Sequence, residues 1–147
     1  MKIKLDINDR AALAIKNNEK RVEIRANTNY DYSKLNKNDV IEFNSSNLGI
    51  FVKVKEVNRY NSLDELFTLE GTRYVTSSTN DKSEAIKNVE KLNGYKEEIE
   101  KSGVYAIHIE YLYSENTVWD ELYEKVNNVR NSREVSGMIN AGGVGAS

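Results

Sequence analysis

Apolar residues along this chain follow two periods, and the switches between them mark out the elements. Weak alternation over Met1 to Leu5 predicts a short edge strand. Asn8 is placed to cap a helix from about Asp9 to Asn17, with Ala12, Leu13 and Ile15 as its apolar side, and Asn18 suits a left-handed C-cap. A strand follows over Lys20 to Arg25. With Val22 and Ile24 turned to a core, alternation sends Arg21, Glu23 and Arg25 to the opposite face. A polar loop from Asn27 to Asn38 carries Tyr30, Tyr32 and Leu35 and closes in a tight turn at Lys37-Asn38-Asp39. Val40 to Phe43 and Gly49 to Val57 form a hairpin around the Asn44 to Asn47 turn.

The second half begins with a capping box, Ser62-Leu63-Asp64-Glu65, opening a helix with Leu63, Leu66 and Phe67 on one side and a stop near Gly71. A Ser/Thr-rich linker, Thr72 to Thr79, leads to a helix from Asp81 or Ser83 to about Leu92, with Ala85, Ile86, Val89 and Leu92 at helical spacing. Gly94 ends it, and Tyr95 to Lys101 suits one further turn. Gly103 to Leu112 is the clearest strand. Tyr105, Ile107, Ile109 and Tyr111 lie on one face, and Val104, Ala106, His108 and Glu110 on the other. Thr117 caps a last helix with a Val118, Leu122, Val126 and Val129 stripe beside Trp119, before a Gly-rich tail. The pattern divides the chain into a domain over residues 1–112, a helical extension over 113–132 and a flexible tail over 133–147. The fold class is α+β: a small, mostly antiparallel β-barrel with helices packed around it and an added C-terminal helix.

Composition narrows the function classes. The 147 residues hold no Cys, no Pro and one His, which removes disulfides and the usual zinc sites and implies no metal and no cofactor. The start has no apolar signal core and no run is long enough to span a membrane, so the expectation is a cytoplasmic protein. A net charge of −2 argues against indiscriminate nucleic-acid binding but leaves room for a local basic cleft. Nucleotide-binding glycine motifs are missing, since Gly142, Gly143 and Gly145 precede no helix.

The charged face at Lys20 to Arg25 therefore carries the interest. Its ordinary explanation is a solvated strand face with cross-strand ion pairs. The functional one is a charged wall inside a cleft that binds something polar. Nine tyrosines add to the second explanation, because Tyr30, Tyr32, Tyr60, Tyr74 and Tyr95 fall in or near loops, where they could stack bases beside Lys20, Arg21, Arg25 and Arg59. They could equally pack at a barrel mouth with one wet edge. His108 is most simply a satisfied structural histidine, although its titration range suits acid–base work.

Four ordered segments give the chain a family likeness. They are Lys-x-x-Glu-x-Arg at Lys20, Glu23 and Arg25; Asn38-Asp39-Val40-Ile41-Glu42-Phe43; the run Val57, Tyr60, Ser62, Leu63, Glu65 and Leu66; and Gly103 to Ile109. In this order the chain resembles the ASCH domain, a PUA-like β-barrel family, over roughly residues 1–112. Asn18 and Asn38 stand near positions where the family has glycine, and asparagine best tolerates the same positive φ.

The resemblance implies a cleft bordered by the motif residues and a preference for RNA or a nucleotide-like ligand. Lys20, Arg21, Glu23, Arg25, Tyr30, Arg59 and Tyr60 are the candidate ligand-binding residues. One branch of the family resembles amidohydrolases of N4-acetylcytidine, with the motif Lys as proton acceptor, a Thr nucleophile three residues later and a distal Glu as donor. Lys20 matches the first, Glu23 replaces the Thr, and Glu70 is the nearest distal acid, so Lys20, Glu23 and Glu70 are the catalytic set if the chain is an enzyme. Other branches act as ribonucleases, for which His108 could assist. Lys20 and Glu23 can share a cleft only if Lys20 lies in the turn before the strand or a bulge intervenes. Pairing them would hold Lys20 charged, which favours binding over base catalysis. A third possibility is association with a partner or second copy through the helix around Trp119.

Overall fold

The computed structural model describes residues 2–76 and 79–116. The expected C-terminal helix, with Trp119 and its proposed role in association, and the tail beyond it lie outside the described residues. Along the chain run β1 (Lys2–Asp6), α1 (Asp9–Lys16), β2 (Val22–Arg25), a 3-10 turn (Tyr32–Lys34), β3 (Val40–Asn44), β4 (Gly49–Tyr60), α2 (Leu63–Glu70), α3 (Lys82–Glu90), α4 (Tyr95–Ser102) and β5 (Val104–Glu115). β5 thus continues past the boundary drawn at 112.

Local chemistry sets the helix starts. Asn8 accepts from the Ala11 amide at 2.8 Å, Ser62 from Glu65 at 3.1 Å and Asp81 from Glu84 at 3.0 Å, each satisfying one orphan donor of its first turn. Asn18 and Asn38 adopt φ of 62° and 76°, the left-handed turns their short polar side chains allow. The segment from Tyr95 forms a full helix rather than a single turn.

The five strands make one sheet in the order β1-β3-β4-β5-β2, antiparallel except for the parallel β1–β3 pair. Both faces are covered. Ile41, Phe43, Val52, Val54 and Ile107 form one core with Ala12 and Ile15 of α1. Val22, Ile24, Val104 and Ala106 form the other beneath α2, α3 and α4. The alternation expected in β5 therefore serves two apolar layers. Leu13 and Leu92, placed on apolar helix faces by their spacing, are about half exposed, at 49% and 50%. Alanines at 11, 12 and 14 let α1 approach the sheet instead.

The result is a small α+β fold with an open sheet. No ladder joins β1 to β2, so the expected barrel is not closed by strand pairing among the described residues. One side chain spans the gap: Arg25 Nη2 donates to the Asp6 carbonyl at 2.8 Å. Among the described residues no helix is long and apolar enough to cross a membrane.

Candidate functional site

The turn between α1 and β2 decides the site. The amides of Glu19 and Lys20 both donate to the Ala14 carbonyl, at 2.8 and 3.1 Å, while Asn18 supplies the positive φ. β2 begins only at Val22, so Lys20 lies outside the strand's alternation. Its Nζ comes within 3.4 Å of Glu23 Oε1, donates to the Val22 carbonyl at 2.9 Å and also donates to the Val75 carbonyl. Three acceptors match the three N–H bonds of an ammonium. From the strand itself, Arg25 donates to Glu23 Oε2 through Nε at 3.1 Å and Nη2 at 2.8 Å, with its guanidinium 5.5 Å from the Phe43 ring centre.

Lys20 and Glu23 are 6% and 7% exposed, which excludes a solvated strand face. The register explains why. Glu23 pairs with Ile107 and Arg25 with Tyr105, residues of the α1-side core, so alternation sends these charges to the side opposite Val22 and Ile24, where Lys20 and the Asp6 end of β1 shield them at the sheet edge. Burial pushes the Glu23 carboxyl upward, but Arg25 and Lys20 outweigh it and hold the pKa below the usual range. Burial pulls the Lys20 pKa down, with Glu23 opposing. For Arg25, burial would lower the pKa, but Glu23 more than offsets that and keeps the guanidinium charged. Tyr32, beside Arg25, is pushed up to about 12, chiefly by burial.

These residues border a cleft of about 840 Å³. Lys20, Glu23 and Arg25 form its charged part, and Ala85, Val89 and Leu92 its apolar part. The charged lining comprises Arg10, Lys20 and Arg25 against Asp6 and Glu23, three cations less two carboxylates, or +1. Thr28, Asn29 and Tyr95 also line it. The stripe Ala85–Val89–Leu92, which at helical spacing looks like ordinary core, serves here as cleft wall. Of the loop-region tyrosines only Tyr95 reaches this cleft, and no local pattern distinguishes it.

The other sequence candidates lie elsewhere. Arg21 points away, stacking 4.2 Å from the Tyr74 ring centre and donating to the Asn18 carbonyl at 3.3 Å. Tyr30 packs edge-on against Tyr32 at 5.1 Å and onto the α1-side core. Arg59 is held by the Ser102 carbonyl at 2.9 Å and Asn61 Oδ1 at 3.0 Å. That clamp sits against Gly103 (φ 85°), where an added Cβ would lie 2.7 Å from the Tyr60 carbonyl oxygen. Tyr60 donates to Glu70 Oε2 at 2.6 Å, Asn58 to the same oxygen at 3.1 Å, and His108 Nε2 lies 2.8 Å from Glu70 Oε1. Glu70, Tyr60 and His108 thus form a cluster of their own, separate from the cleft lined by Lys20 and Glu23. Burial would raise the Glu70 pKa, but these partners hold it below the usual carboxylate range. Among the described residues no group of His, Asp and Glu is arranged to hold a metal ion.

No family model and no curated protein matches the chain. Solved structures do. The crystal structure of hypothetical protein PH0355 is similar with a TM-score of 0.68 and 27% identity, over 76% of this chain and 100% of that one. The solution structure of protein PF0455 from Pyrococcus furiosus is similar with a TM-score of 0.63 and 28% identity, over 76% of this chain and 98% of that one. A mutant of ZmASCH from Zymomonas mobilis matches distantly, with a TM-score of 0.49 and 14% identity over 77% of this chain and 72% of that one.

Proposed function

We propose that this domain of ASCH-like fold binds RNA or a nucleotide in the cleft between β2 and α3, as a recognition module rather than a hydrolase. The four segments that carry the ASCH resemblance fall on β2 and the turn before it, on β3, on the β4–α2 junction and on β5. A PUA-like barrel, with its edges bridged by Arg25, is the architecture we assign to it.

The observation that carries this reading is the buried Lys20–Glu23–Arg25 chain facing an apolar wall. A nucleobase needs both surfaces: apolar contact for its rings and fixed polar groups for its edge. Glu23 is an acceptor for base N–H groups, and the surplus cation favours carbonyl or phosphate oxygens. Hydrolysis finds less support. Lys20 already donates to three acceptors, Glu23 stands where a Thr nucleophile would be needed, and Glu70 belongs to the His108 cluster. A cytoplasmic location goes with this reading.

Titration of nucleoside monophosphates and short RNAs, followed by heteronuclear NMR, tests it. Wild type should bind with shifts at Glu23, Val89 and Tyr95. Glu23→Gln should weaken binding at least tenfold. Leu92→Glu, which changes an exposed cleft residue and spares the core, should do the same with an unchanged melting temperature. Turnover of an N4-acylated nucleoside, or binding unaffected by Leu92→Glu, would overturn the proposal.

A further inference from the structure

β4 and β5 lose register between Val54 and Glu56, where Val54 pairs with Ile109 and Glu56 with His108. Lys55 is the additional residue, so Lys55 and Glu56 both oppose His108, and such a bulge re-aims side chains. The β2 ladder ends at the same level, with Val22 opposite His108 and the Arg21 carbonyl accepting from Ile109 at 3.0 Å. Here lies a hollow of about 560 Å³ lined by Arg21, Lys37, Lys55, Glu56, His108 and Ile109. It shares Arg21, Lys55 and Ile109 with a neighbouring hollow of about 490 Å³.

The first hollow carries three cations against one exposed carboxylate, a surplus of +2 on a chain whose net charge is −2. Lys37 and Lys55 are exposed, and among the described residues neither is in an ion pair. Arg21 is steadied over Tyr74, which also has Arg73 at 5.0 Å. His108, 29% exposed at its side chain, is anchored from behind by Glu70 at 2.8 Å, a contact close enough for an ion pair but not aligned as a hydrogen bond. Cations converging beside an anchored imidazole suit a tetrahedral oxyanion.

We propose that this hollow binds a backbone phosphate of a single-stranded nucleic acid. The inference rests on the RNA or nucleotide reading of the cleft and adds to it a second contact that only a strand can make. The neighbours Lys20 and Arg21 divide between the two sites, Lys20 lining the cleft and Arg21 the hollow. A free nucleotide fills the first alone, whereas a strand is long enough to reach both.

The test compares wild type with a Lys37→Ala/Lys55→Ala double variant, using a short single-stranded RNA, a nucleoside monophosphate and inorganic phosphate. Strand binding by the variant should weaken roughly tenfold at low salt, and its log–log salt slope should flatten by about one unit. Monophosphate binding should not change. The single histidine makes the His108 imidazole a unique NMR reporter, and the strand should shift it. An unchanged strand affinity and slope would overturn the proposal. So would a His108 shift with inorganic phosphate but no loss of strand affinity, since the hollow would then serve a free anion. Failure of the cleft reading has its own signature: no monophosphate binding by wild type, with the slope change intact.

Discussion

Glu23 and Glu70 both have shielded carboxylates, with side chains 9% and 7% exposed, Glu23 approached by two side-chain groups and Glu70 by three. Their partners differ. Glu23 lies between two full cations, Lys20 at 3.4 Å and Arg25 at 2.8 Å, in the lining of an open cleft. Glu70, the last residue of α2, accepts from a phenol and an amide and lies 2.8 Å from the His108 imidazole. The first arrangement leaves a surplus positive charge beside a cavity and can respond to a ligand. The second spends its carboxylate on fixing Tyr60, Asn58 and His108 in place. Two shielded acids of one fold thus have different work, and the charge of their neighbours separates them.

Breaking the first chain should cost most. Glu23→Ala strands Lys20 and Arg25 beside each other, and removing one partner of a buried ion pair costs about 3–5 kcal/mol. Urea unfolding should show that loss, with part of it recovered when Lys20→Met is added to Glu23→Ala, because one of the two stranded cations is then gone. Glu70→Ala should cost less, about 1–3 kcal/mol at most, because the donors it leaves unpaired, Tyr60 and Asn58, are only half-buried. Equal losses at the two sites would erase the distinction.

Acid should separate them further. Both carboxyls titrate below the ordinary value of 4.5 in the folded protein. The unfolded chain therefore binds more protons in that window. Each group's contribution is present above the unfolded pKa and lost as pH falls through the folded one. Melting temperature should drop on acidification below the usual carboxylate range. Glu23→Gln should flatten that drop more than Glu70→Gln, because two cations rather than mostly neutral donors depress its pKa. The smallest effect is local: Tyr60, pushed up to about 12 by burial and then by Glu70, should titrate lower in Glu70→Gln when followed by ultraviolet absorbance.

Much of this scaffold is legible in short stretches. The caps at Asn8, Ser62 and Asp81, the left-handed turns at Asn18 and Asn38, and the two-faced alternation of β5 each depend on chemistry within a few residues. The site is less legible. Arg21, Tyr30, Arg59 and Tyr60 have the residue types a nucleotide site needs, yet Tyr74, Tyr32, Ser102 and Glu70 hold them elsewhere. Tyr95, Val89 and Leu92, which do line the cleft, have spacing that says only helix.

By itself the sequence determined the order of the described elements, the helix starts and a charged run around the start of β2, because backbone conformation and capping are decided by near neighbours. Only the tertiary structure decided what that run became. Lys20 needs a carbonyl from Val75, 55 residues away, and Arg25 needs one from Asp6 across the open edge of the sheet. Whether a charged strand face is solvated or buried depends on what covers it, and the cover here comes from distant parts of the chain.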